Sequence, residues 1–394
     1  MRKKALTQET TEYASLFDLL EECKRRGLNK LETETAMRRY LDLKARKAGF
    51  PIGGSFELTP LCNLDCKMCY VHLTPQQLKT QKNGILSGAQ WIEIIRQASE
   101  MGMYEASLTG GEALLHPDFD QIFLFMEEKN ISVNLKTNGI LLTEERVAFL
   151  KRHHIASIQV SVYGCDEDSY ERVTGHKSFA TVMRAIEGVK NAGIPLELEI
   201  IPSRYIWRDM EKLLRMVDSM GIDYSVNPGL VDPLEETGRK GMAHDLSLDQ
   251  YIAFNKLRAK LNGVSFVPLC VEDVPPAGGH GQTSSKGFRC AAGRSVFNVS
   301  WRGMLHPCRM VEKIGCNLLD TPFSKAWKII NKASNEYPCL QECAGCVYEG
   351  LCPSCVVQHE SGAAVGHANP VVCRRTQRLV AEGFLVRRPE GEEI

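Results

Sequence analysis

The stretch that decides the fold is Ser55-Phe56-Glu57-Leu58-Thr59-Pro60-Leu61-Cys62-Asn63-Leu64-Asp65-Cys66-Lys67-Met68-Cys69-Tyr70. Its first five residues are a strand candidate. The segment behind them spaces three cysteines as C-x3-C-x2-C. Three thiols this close cannot all pair with one another as disulfides, but they can converge on one metal centre. Two readings stand. Four cysteines are the ordinary ligand set of an iron–sulfur cubane. Three would leave one iron open to a substrate or cofactor, just as an open position marks a catalytic zinc. The other reading is a zinc knuckle that borrows a distant fourth ligand.

Working outward, short strands alternate with helices. Strand candidates are Ser55–Thr59, Glu105–Leu108, Ser132–Thr137, Ser157–Tyr163, Leu196–Ile201 and Tyr224–Val226. Helical stretches cover Ala89–Met101, Phe119–Lys129, Glu144–His153, Phe179–Ala192 and Asp209–Met220, with a last one at Leu248–Leu261. Six strand–helix units imply a parallel α/β sheet. In a closed or partial barrel of this kind the chemistry sits at the C-terminal ends of the strands. Residues 1–50 read as two helices, with Leu16, Leu19, Leu20 and Cys23 on one face and Met37, Tyr40, Leu41 and Lys44 on another. They either pack on the larger body or form a docking arm. After about residue 265 the alternation stops. Residues 274–287 are rich in Gly, Pro and Ser and read as a linker or a flexible loop. A hairpin is expected over Ser295–Pro307 and a helix over Phe323–Ala333.

Composition narrows the function. Lys plus Arg and Asp plus Glu are both 48, so the net charge is zero. That argues against a nucleic-acid surface. No apolar run is long enough to span a membrane, and the first residues do not read as a secretory signal. A cytoplasmic, reducing location is therefore expected. Of 15 cysteines, ten fall in the last 125 residues. Disulfides are rare in such a compartment, so dense cysteine there points to metal or catalysis.

The triad after a first strand, in a (β/α)6 pattern, resembles the radical S-adenosylmethionine enzymes. Thr109-Gly110-Gly111-Glu112 at the end of the second strand strengthens the resemblance. It implies that Cys62, Cys66 and Cys69 hold a 4Fe–4S cluster and that Gly110, Gly111 and Glu112 lie along the methionine part of the cofactor. Glycines allow close backbone approach, and a carboxylate can pair an ammonium. Asn138 in Thr137-Asn138-Gly139, Ser161 and Arg172 are further cofactor-binding candidates by the same resemblance. The alternatives for these three are a turn Asn, a strand Ser and a surface Arg. Members of the family often carry an aromatic residue before the third cysteine. Here Met68 stands there, so adenine contact is unassigned.

Cys290, Cys308, Cys343, Cys346, Cys352, Cys355 and Cys373 resemble the SPASM extension, which carries auxiliary 4Fe–4S clusters. The resemblance implies one cluster on Cys343, Cys346, Cys352 and Cys373. A second would use Cys290, Cys308 and Cys355, with Cys270, Cys316 or an open iron in the fourth position. A zinc ribbon is the alternative for these C-x2-C pairs. Cys339-x3-Cys343-x2-Cys346 repeats the triad spacing, but without a preceding strand or a following GGE.

The expected architecture is a partial (β/α)6 TIM barrel (51–270), preceded by N-terminal helices (1–50) and followed by a cysteine-rich SPASM domain (271–394). The resemblance implies reductive cleavage of S-adenosylmethionine and hydrogen abstraction from a ribosomally made peptide, ending in crosslinking, epimerisation or oxidation. A small-molecule maturase and a non-catalytic zinc- or cluster-binding protein are the alternatives. Cys165, just past strand four, is a candidate hydrogen-atom donor or else a buried loop residue. Sulfatase maturases carry Asp directly after the second auxiliary cysteine. This chain has Arg309 there, which weighs against that reaction. Residues 1–50 are too short and too helical for a winged-helix leader-binding domain, so a separate recognition protein or leader-independent binding is expected. A flavodoxin- or ferredoxin-type electron donor is also implied.

Overall fold

The structure is a computed structural model that describes residues 15–81, 84–227, 245–261, 269–270, 287–288, 290–348, 351–360 and 366–386. Six parallel strands carry the fold: β1 (Gly53–Glu57), β2 (Glu105–Thr109), β3 (Ser132–Thr137), β4 (Ser157–Val162), β5 (Leu196–Ile200) and β6 (Tyr224–Val226). They lie side by side in chain order. Because β6 is one edge strand, the barrel is open, as the partial (β/α)6 reading expected.

Two helices precede this sheet, α1 (Leu16–Arg25) and α2 (Lys30–Ala48). The crossovers hold α3 (Pro75–Lys79), α4 (Gly88–Glu100), α5 (Phe119–Glu128), α6 (Glu144–Arg152), α7 (Glu167–Thr174), α8 (Phe179–Asn191) and α9 (Met210–Ser219). Then follow α10 (Leu248–Leu261), β7 (Leu269–Cys270), β8 (Val296–Val299), β9 (Met304–His306), β10 (Cys316–Asn317), α11 (Phe323–Asn335), α12 (Val356–Glu360), α13 (Pro370–Ala381) and β11 (Leu385–Val386). The hairpin expected at Ser295–Pro307 is β8 and β9, which pair antiparallel. With β10 it extends the main sheet past β1. The segment 274–286 lies outside the described residues.

The parallel strands alternate. In-register Phe56, Leu108, Leu135 and Ile158 are fully buried. The Phe56 ring meets Trp91 of α4 edge-on, centroids 6.0 Å apart, so this face packs on helices. Neighbouring residues on a strand point to opposite sides. Ser55, Glu57, Ser107, Thr109, Asn134, Lys136, Gln159, Ser161, Glu197 and Glu199 therefore share the other face. Parallel strands covered on both faces read as continuous hydrophobic runs. The polar row here marks a face turned to an interior that takes polar groups.

The chain divides into two compact units that interleave along it. One contains 1–52, 266–297 and 327–394, the other 53–265 and 298–326. The sequence reading cuts the chain at 50 and 270 instead. In the first unit, Leu19 and Cys23 of α1 pack on Ala36 and Tyr40 of α2. Trp327 of α11 donates its indole N–H to Gly49 O at 2.8 Å, Ile52 N–H bonds Ser295 O at 2.7 Å, and the Ser295 hydroxyl donates to Asp42. These long-range bonds tie the N-terminal helices to late segments, which chain order cannot show. In the same unit β7 and β11 form a two-stranded parallel sheet.

Trp91 is completely buried against β1. Replacing it with alanine should cost about 3–5 kcal/mol, read as a lowered denaturant midpoint with an unchanged slope.

Candidate active site

The triad loop hangs between two backbone clamps. On one side, Gly111 N–H bonds Thr59 O at 2.7 Å and Glu112 N–H bonds Leu61 O at 2.8 Å. A Cβ on Gly111 would stand 2.3 Å from Leu61 O, and one on Gly110 2.4 Å from Thr59 O, with Gly110 at φ +137°. Both glycines are thus required by the approach of two main chains. On the other side, Asp65 N–H bonds Thr174 O at 2.9 Å and Lys67 N–H bonds Val173 O at 3.0 Å. These carbonyls end α7, a helix that the periodicity reading passes over. Its signals stand in the sequence: Asp166 and Ser169 form a reciprocal capping box, and Gly175 closes the helix at φ +76°.

Within the loop, Cys69 N–H bonds Cys66 O at 3.0 Å. Backbone N–H groups also point at sulfur, Leu64 N to Cys62 Sγ at 3.4 Å and His72 N to Cys69 Sγ at 3.3 Å. Such donors favour thiolates and tune the potential of a cluster bound to them. Burial pushes the Cys62 thiol up to about 12, against the Leu64 N–H bond. A buried thiol of that kind ionises when a cation takes it as a ligand.

Glu112 is fully buried, and burial raises its pKa. Its carboxylate accepts from Thr137 Oγ1 at 3.0 and 2.9 Å, Asn138 N at 2.9 Å and Leu114 N at 3.2 Å. It therefore fastens the end of β3 to the end of β2. Asn138 Nδ2 in turn donates to Asn63 Oδ1 at 2.7 Å and lies 3.6 Å from Cys62 Sγ. Gly110, Gly111, Glu112 and Asn138 thus form one connected assembly with the triad loop.

Ser161 hydrogen-bonds the phenol of Tyr163, whose pKa is raised well above its usual value by burial, with Cys66 and Cys69 adding to the shift. Arg172 stands at the end of α7, where it pairs with Asp209 and donates Nε–H to Tyr205 O at 3.1 Å. Cys165 is buried in the cap of α7. Its N–H bonds Ser169 Oγ at 2.9 Å, and its Sγ lies 3.7 Å from that hydroxyl. Burial raises the thiol pKa, and its charged neighbours are Asp166, Lys212 and Asp209.

Tyr170 is a site residue that the sequence reading misses. It is fully buried within electrostatic range of Cys66, Cys62 and Glu112. Its hydroxyl has no hydrogen-bond partner among the described residues, nor has Gln159 Oε1 on the polar face. An unpaired buried polar group costs about 1–3 kcal/mol. The unpartnered Tyr170 hydroxyl, the N–H donors aimed at two sulfurs and the buried carboxylate fit a site that a polar cofactor and a thiolate-bound cluster complete. Among the described residues, no three Cys, His, Asp or Glu side chains already stand in metal-coordinating geometry.

The late cysteines gather in part. Cys343 feels Cys339, Cys352, Cys373 and Cys346, and burial pushes its thiol up to about 11. Burial also opposes ionisation of Cys352, but hydrogen bonds from His359, Thr376 and Ser354 bring it down to about 7. Cys339, set aside on spacing, belongs to this neighbourhood. Cys373 sits on α13, a helix hidden in the cysteine-rich tail. Cys290 and Cys355 fall in the first unit, Cys308 and Cys316 in the second. The side chain of Cys270 lies outside the described residues.

Residues 56–217 match the Radical SAM superfamily. The chain is 31% identical over 170 residues to a PqqA peptide cyclase of Streptomyces rochei, covering 43% of this chain and 45% of the cyclase. It thus spans under half the length of that relative. It is 26% identical over 307 residues to the mycofactocin maturase MftC of Mycobacterium ulcerans, covering 75% and 79%. Streptococcus suis SuiB bound to S-adenosylmethionine shares the fold, with a TM-score of 0.64 at 16% identity over 92% of this chain and 88% of SuiB. The match to a radical SAM domain thus falls on the segment that holds the triad loop, Gly110-Gly111-Glu112 and Asn138.

Gly111→Ala should lower stability by about 1–3 kcal/mol through overpacking against Leu61. A urea midpoint equal to that of the wild type would mean that the loop moves freely and the clamp is wrong.

Proposed function

We propose that this chain, with its radical SAM domain, modifies a peptide substrate by crosslinking, epimerisation or oxidation. The observation that carries the reading is the single assembly of the C-x3-C-x2-C loop, Gly110-Gly111-Glu112 and Asn138 below a polar sheet face. The peptide substrate is supported by the names of the relatives, one a peptide cyclase and one a maturase.

Cys62, Cys66 and Cys69 would hold a 4Fe–4S cluster as thiolates, with the Leu64 and His72 N–H groups compensating charge on two of the sulfurs. With S-adenosylmethionine bound beside it, the site would supply radical removal of hydrogen from an unactivated carbon. The protein contributes orientation and exclusion of side reactions. Gly110 and Gly111 keep the backbone close, Glu112 holds the strand ends in place, and Tyr170 offers an unpartnered hydroxyl within electrostatic range of Cys62 and Cys66. The polar residues of β3–β5 face the substrate.

Cys343, Cys346, Cys352 and Cys373 are proposed to hold an auxiliary 4Fe–4S cluster, supported by their mutual proximity. Cys290, Cys308 and Cys355 are proposed ligands of another. A low-potential flavodoxin- or ferredoxin-type protein would deliver electrons in the cytoplasm, and a separate protein would present the leader of the peptide. No helix among the described residues is long and apolar enough to cross a membrane.

Anaerobic reconstitution tests the reading. Cys66→Ala should abolish 5′-deoxyadenosine formation and lower bound iron by about four per chain, one cubane's worth. Cys352→Ala should remove a similar amount while leaving cleavage measurable. Zinc in place of iron, with no 5′-deoxyadenosine from the wild type, would defeat the proposal.

A further inference from the structure

Arg309 follows Cys308 directly and points back at the triad. Its guanidinium lies 4.1 Å over the ring of Tyr70, the residue after Cys69. Its Nη1–H donates to Tyr70 Oη at 2.8 Å, and that hydroxyl donates to Glu57 Oε1 at 2.9 Å. Glu57 is buried on the polar face of β1, with Asn298 adjoining it. The guanidinium also feels Glu199, on the polar face of β5. Through Tyr70 and Glu57 the guanidinium is tied to the polar face of the sheet, the side proposed to receive the substrate.

The arginine is nonetheless exposed. Among the described residues, its one hydrogen bond and its ring contact both go to Tyr70. Neither nearby carboxylate reaches ion-pair distance. A guanidinium has five N–H donors in a rigid fork that matches a carboxylate. Here one is spent on a phenol, and stacking on the ring holds the fork in a fixed plane. That pre-organisation reduces the ordering cost of binding.

We propose that Arg309 is a specificity residue that binds the side-chain carboxylate of an Asp or Glu close to the modified position of the substrate. The inference rests on the peptide reading above. Tyr70 is its positioning residue, and Glu57 orients Tyr70. Arg309 repels a lysine-bearing segment from the same spot.

The test uses the full chain, reconstituted and loaded with S-adenosylmethionine, and short end-capped peptide pools. The pools differ only in whether Asp, Asn or Lys occupies one fixed position, and end-capping removes terminal carboxylates as a source of binding. Retained peptide is quantified by mass spectrometry. The wild type should retain the Asp pool about tenfold over the Asn pool, the size of a charge-assisted hydrogen bond. Arg309→Gln should bring the two to parity. Arg309→Lys should fall between, since an ammonium keeps the charge without the fork. Iron content and far-UV circular dichroism establish that each variant is folded, and Arg309→Lys serves if Arg309→Gln is not. Parity in the wild type, an acidic preference that survives Arg309→Gln, or a preference for Lys overturns the proposal and leaves the peptide reading standing. Retention of no pool overturns both.

Discussion

Everything at the candidate site depends on how closely two main chains approach. The strand end carrying Thr59 and Leu61 lies against the one carrying Gly110 and Gly111, bonded through Gly111 N–H and Glu112 N–H. No side chain fits between them, since a Cβ at Gly111 would meet Leu61 O at 2.3 Å. The bonds fix where the cysteine loop leaves the sheet, and the carbonyls at the end of α7 fix where it returns. The glycines are therefore needed even before a cofactor is considered. The resemblance explains them by contact with methionine, and the structure adds a constraint internal to the protein.

Glu112 extends the constraint to the next strand. A buried carboxylate is costly unless hydrogen bonds satisfy it, and four donor contacts from Thr137, Asn138 and Leu114 do so. Asn138 then passes the connection to Asn63 and Cys62. The same trade appears on a larger scale in the sheet. One face buries Phe56, Leu108, Leu135 and Ile158 under helices. The other gives up hydrophobic burial to present Glu57, Lys136, Gln159, Ser161 and Glu199. A parallel sheet accepts that loss where the concave side must receive polar molecules.

Much of this was legible in the sequence. The bounds of β3 and β6 and of α10 follow directly from the residue pattern, and the other strands and barrel helices from the same alternation. Cysteine spacing located the triad because ligands of one centre within a single loop must be close in sequence. The polar face was also written there, in Leu196-Glu197-Leu198-Glu199-Ile200 and in Ser157–Val162, as a period-two pattern inside parallel strands. α7 was overlooked because it is short, although its capping box and Gly175 marked both ends. α13 was overlooked because cysteine and arginine interrupt its apolar face.

By itself the sequence determined the order of strands and helices, the presence of a three-thiol loop and the likeness to radical SAM enzymes. These are local properties, set by periodicity and by spacings of a few residues. Only the tertiary structure decided which distant groups meet. It put Tyr170 within electrostatic range of Cys62 and Cys66, left its hydroxyl without a partner among the described residues, and joined Glu112 to Asn138. It engaged Arg172 with Asp209, and it brought Arg309 over Tyr70, 239 positions earlier in the chain. Such contacts arise when curvature of the sheet brings strand ends and late loops to one place, and no periodicity along the chain records that curvature.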